Sequence, residues 1–110
     1  MARYADEAGM SLGSRANSKL RVTFYETDSM DQIDMSHELD RLVVTGIRDT
    51  LHQAREWLTH DEPRRVRLSR AGVQDFLDGK VPDLVVSAYN GKSQRDLVAV
   101  IEVDYADATE

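Results

Sequence analysis

Leu20, Val22 and Phe24 alternate with Arg21, Thr23 and Tyr25. Apolar residues at every second position mark a strand with one face buried. Beyond residue 36 the period changes. Leu39, Val43, Ile47, Thr50, Leu51, Ala54, Trp57 and Leu58 fall on one stripe at helical spacing, and Arg41, Arg48, His52, Arg55 and Glu56 lie outside it. This spacing predicts a long helix over 36–59, with Ser36 as its N-cap. Ser29 and Gln32 have capping-box spacing and offer an earlier start. Gly46 lies at the edge of the stripe, where it would allow close packing.

Pro63 ends that segment. In residues 64–69, Val66 and Leu68 point one way and Arg65 and Arg67 the other, which predicts a short strand. Ser69 would cap a second helix with Val73, Phe76 and Leu77 inward. Leu68 and Val73 have the spacing of a hydrophobic staple, Gly79 suits the position after the helix, and Pro82 stops it. Two apolar runs then flank a polar loop. Asn90-Gly91 alone would favour a two-residue hairpin turn. That register would leave most of the second run unmatched, so burial selects a loop of about 90–96, with Leu97–Val103 opposite the first run.

The expected order is β-α-β-α-β-β, an α+β domain with a small mixed sheet, one long helix and one short helix. The long helix would cross over between a parallel pair formed by the first strand and the 64–69 strand. Residues 1–18, rich in Ala, Gly, Ser and charge, show no period and are expected to be a flexible tail. Residues 19–110 would form the single domain, a normal size at this chain length.

The 110 residues contain no cysteine, which excludes disulfides and thiolate metal sites. Apolar runs are only a few residues long, and no basic start leads into an apolar stretch, so the expected location is cytoplasmic. The net charge of −6 disfavours broad adhesion to nucleic acid or anionic lipid. It is unevenly spread. Residues 25–40 hold six carboxylates and no Lys or Arg, whereas Arg64, Arg65, Arg67 and Arg70 lie in a run without acids.

Asp28, Asp31 and Asp34 are spaced by three and have no glycine among them, unlike a calcium-binding EF-hand loop. Acids before a helix also complement its N-terminal partial charge. His52, Glu56 and His60 follow at steps of four, an exposed charge ladder lacking further zinc ligands. Arg65 and Arg67 would share a strand face and could grip phosphate. With two helices and a hairpin they suggest a winged helix-turn-helix, although Asp75 and Asp78 would face the DNA. No phosphate-loop, dinucleotide or nucleophile-elbow motif is present.

The stretch "VPDLVV" followed by "VAVIEVD" resembles the hairpin of the PD-(D/E)xK nuclease-like superfamily over residues 82–104. The resemblance implies that Asp83 and Glu102 are ligands of a divalent metal, Mg or Mn, which would activate water against a phosphodiester. Asp104 stands where that family has its lysine, and the helix and strand that follow the hairpin there are missing. A hairpin register summing to 185 would set Asp83 opposite Glu102, and one summing to 186 would send them to opposite faces.

Charge and pattern together favour a non-enzymatic protein-binding module of inhibitor, immunity or adaptor type, with no cofactor. Its contact residues would be Asp28, Asp31 and Asp34 with Met30, Ile33 and Met35, which miss the helical stripe, and Arg64, Arg65 and Arg67. The expected partner is another protein with a basic patch. The rival expectations are a metal-dependent or degenerate nuclease relative and a DNA-binding regulator using the arginines at 64–70.

Overall fold

A computed structural model describes residues 15–27 and 37–105. The domain is α+β. Five strands, β1 (Lys19–Glu26), β2 (Glu38–Thr45), β3 (Arg65–Arg67), β4 (Asp83–Tyr89) and β5 (Arg95–Val103), form one sheet in the order β2-β1-β5-β4-β3. Two helices, α1 (Ile47–Thr59) and α2 (Arg70–Leu77), pack on it.

Every strand pair is antiparallel, which replaces the expected mixed sheet. The expected parallel pair does not form. β1 lies between β2 and β5, and β3 pairs with β4 alone. The physical reason is burial: β5 carries the longest apolar run, with five consecutive positions from Leu97 to Ile101 buried. A strand buried on both faces belongs at the sheet centre, and β5 there takes the edge of β1 that a parallel partner would have used.

The predicted 36–59 helix is also corrected. Residues 38–45 are an edge strand, Gly46 is the turn, and the helix starts at Ile47. Gly46 has φ +92° and ψ 138°, a conformation that side chains disfavour. Three consecutive β-branched residues, Val43, Val44 and Thr45, precede it and suit a strand. Leu39 and Val43, which seemed to continue the helical stripe, are 48% and 50% exposed. The true stripe begins at Ile47, with Thr50, Ala54 and Leu58 buried. The Thr50 hydroxyl donates to the Gly46 carbonyl at 2.6 Å, satisfying a buried polar group and fixing the turn.

The shorter elements form as their sequence implies. The Ser69 hydroxyl accepts from the Gly72 amide at 3.1 Å and caps α2. Gly79 follows with φ +79°, and the Lys80 amide reaches the Asp75 carbonyl at 2.8 Å, a Schellman-type close. The β4–β5 register pairs Leu84 with Ile101 and Val86 with Ala99, as burial required. This hairpin forms the middle of the sheet and is no projecting wing.

One core follows from these registers. Leu20, Val22 and Phe24 of β1, Leu84, Val86 and Ala88 of β4, and Leu97, Ala99 and Ile101 of β5 meet Ala54, Leu58 and Phe76 from the helices. Phe24 stacks on Trp57 with ring centroids 4.0 Å apart. Burying an aromatic side chain of this size contributes roughly 2–3 kcal/mol. Both helices therefore lie on one face of the sheet, and the alternate residues of each strand point to the other face.

Residues 15–18 pack against this body. Arg15 donates to the Phe76 carbonyl at 2.9 Å and sits over the Phe76 ring. A cation thereby meets the C-terminal end of α2, where the Phe76 carbonyl also accepts from the Gly79 amide at 3.1 Å.

Candidate functional site: a basic strip at the sheet edge

Two regions gather polar side chains. The first is a cleft of about 830 Å³ at one end of the sheet, lined by His37, Trp57, His60, Asp61, Arg64 and Asp96 among others. Arg64, Asp61 and Asp96 in it are engaged with one another. The Arg64 side chain is only 5% exposed. It grips Asp96 through Nε at 3.0 Å and Nη2 at 3.0 Å, and also donates to the Leu58 carbonyl at 3.1 Å and to Asp61 at 2.6 Å. The hydrogen bond that Arg64 donates to Asp96 raises the Arg64 pKa further, so its charge is permanent. In turn, the hydrogen bond from Arg64 holds the Asp61 carboxyl below the usual range. The Trp57 indole donates to Asp40 at 3.0 Å, and His60 Nδ1 lies 2.6 Å from the Trp57 carbonyl. These contacts lock the α1–β3 turn to the start of β5.

The second region lies on the sheet face that carries no described helix. Strand alternation and register place Arg21, Arg41, Arg65 and Arg67 there with Tyr25, Val43, Val85 and Tyr89. Its centre is closed: Thr23, Val98 and Val100 are buried. Two of the arginines are neutralised. Arg21 donates to Glu102 at 2.5 Å and lies 3.8 Å from Asp104, and Arg41 pairs with Glu38 at 2.8 Å.

Arg65 and Arg67 differ. Both are exposed, and neither makes an ion pair among the described residues. Arg65 stands opposite Tyr89 with its guanidinium 5.2 Å from the ring centroid, a cation–π arrangement. Arg67 stands opposite Ser87. Val85, 38% exposed, continues the same face one strand inward. The result is a strip of two guanidiniums, one aromatic ring and one aliphatic side chain at the sheet edge.

The expected contact residues are thus divided. Arg65 and Arg67 share a surface, while Arg64 lies in the interior of the fold, away from them. Asp28, Asp31, Asp34, Met30, Ile33 and Met35 lie outside the described residues. Asp83 and Glu102 are direct cross-strand partners, the register that puts both on one face. Glu102 is taken up by Arg21, which leaves Asp83 as the one carboxylate of this pair without an ion pair among the described residues. Among the described residues no three His, Asp or Glu side chains are grouped to hold a metal. Sequence reading did not single out Tyr89 or Val85. Alternation across the 83–89 run, combined with the 185 register, carries the signal that would have found them.

No family model, curated protein or solved structure matches this chain. No described helix is long and apolar enough to cross a membrane.

Proposed function

We propose that this protein is a non-enzymatic binding module that works by occupying a partner protein's surface. The observation that carries the reading is the Arg65–Arg67–Tyr89–Val85 strip. It has the composition of an interface: guanidiniums and an aromatic ring beside exposed aliphatic surface, with no ion pair to either guanidinium among the described residues. Two like charges about 7 Å apart on a sheet edge, unpaired among the described residues, suit a partner that supplies carboxylates. The acidic segment with Asp28, Asp31 and Asp34 is a second surface in this reading, by charge alone, and would steer a basic region of the same partner.

The test is affinity purification from the native host, with bound proteins identified by mass spectrometry. The double variant Arg65→Glu with Arg67→Glu should lose a protein that the unaltered chain retains, with an unchanged circular dichroism spectrum. Retention of every bound protein by the variant rejects the strip.

One observation favours a second reading, a divergent relative of the PD-(D/E)xK nucleases: Asp83 faces Glu102 across the hairpin. Against it stands Arg21, which a metal ion would have to displace. A magnesium or manganese titration followed by NMR decides. Shifts at both carboxylate residues favour it, and silence there ends it.

A further inference from the structure

We infer that the free edge of β3 receives an extended acidic segment of the partner, whose alternate carboxylates meet Arg65 and Arg67. This rests on the binding-module reading and names the chemistry of its partner. Among the described residues β3 is the last strand of the sheet and is bonded to β4 alone. Its backbone on the other side can extend the sheet by one more strand.

The side chains select what joins. Arg65 and Arg67 lie two residues apart on one face, a separation of about 7 Å. An added strand has the same two-residue repeat, so carboxylates at its alternate positions come beside the two guanidiniums. Arginine takes a carboxylate through two parallel hydrogen bonds, which gives direction as well as attraction. Tyr89 already holds the Arg65 guanidinium over its ring, which lowers the ordering cost of that contact. A basic segment would meet like charge, and a wholly apolar one would leave the guanidiniums unpaired, so both are rejected. A short edge guarded by arginines also resists indiscriminate strand addition. Nucleic acid fits less well. It has no peptide backbone to continue the sheet, and the chain's net charge of −6 repels a polyanion.

The experiment is an amide NMR titration of the full chain at low salt with a synthetic heptapeptide alternating glutamate and valine. Parallel titrations use a peptide of identical composition with its glutamates grouped at one end, and a short single-stranded oligonucleotide. The alternating peptide should give saturable shifts at the amides of 65–67 and 87–89. Its affinity should fall about tenfold or more in the Arg65→Ser, Arg67→Ser variant, the loss expected for one charge-assisted contact or more. Equal binding of the grouped peptide, tighter binding of the oligonucleotide, no shift at β3, or self-association of the protein through these same amides overturns the inference. If the peptide does not bind but the charge-reversed variant still loses its native protein, the acidic-strand inference fails and the binding-module reading stands. If the native protein is retained, the strip itself fails.

Discussion

Arg64 grips Asp96 with two nitrogens, Nε and Nη2, each 3.0 Å from a carboxylate oxygen. The pair joins the turn after α1 to the first residues of β5, and Arg64 also ties in the last turn of α1 through the Leu58 carbonyl. One guanidinium therefore closes the end of the sheet where β1 and β2 meet the cleft. Arg64→Ala leaves Asp96 without this partner and should destabilise the fold by roughly 3 kcal/mol, the lower end for breaking a buried pair. Urea denaturation measures it. A change below about 0.5 kcal/mol would mean that the pair does not hold the fold.

The pH dependence of this cluster has a definite sign. Arg64 holds the Asp61 carboxyl below its usual range, so the folded state favours the charged form. The stabilisation is fully present above the unfolded value, near pH 4. It disappears as the pH falls through the lower folded value. Asp61→Asn lacks this contribution. Denaturation curves of the two proteins should therefore converge as the pH is lowered from about 5 towards 2. A gap that widens on acidification contradicts the assignment.

Gly46→Ala discriminates between the helix suggested by periodicity and the turn observed. In a helix interior, alanine would be more stable than glycine by about 1 kcal/mol. At φ +92° it should instead be less stable by about 1–2 kcal/mol. The strain lies in the backbone, because among the described residues an added methyl would meet only the Ala16 carbonyl oxygen, at 3.7 Å. Thermal unfolding of the variant gives the sign directly.

Arg15 donates to the Phe76 carbonyl in the last turn of α2 from a distant part of the chain. Arg15→Ala should lower stability by about 1 kcal/mol and speed amide exchange in the last turn of α2. Unchanged exchange there would show that the contact is not maintained in solution.

The elements legible in the sequence are those whose period and punctuation agree. β1 alternates cleanly, Ser69 and Gly79 bracket α2, and the hairpin register follows from matching two apolar runs. β2 was concealed because its exposed face carries Val43 beside the half-buried Leu42 and Val44, which blurs the alternation. By coincidence Leu39, Val43 and Ile47 also stand at helical spacing. The Val43–Val44–Thr45 run followed by Gly46 was the stronger signal, since β-branched residues before a glycine break favour a strand and a turn. The candidate strip was half visible. Arg65 and Arg67 stood out by charge, but Arg64 is indistinguishable from them in sequence. Only the position of Asp96 across the fold, 32 residues on, draws Arg64 inward.

Hydrogen–deuterium exchange of the chain alone and in complex with its captured partner tests the binding strip most directly. Amides of 65–67 and 85–89 should slow on complex formation, with the cleft around Trp57 and Asp96 unchanged. Slowing confined to that cleft, or absent from the β3 edge, would contradict a partner seated on Arg65 and Arg67.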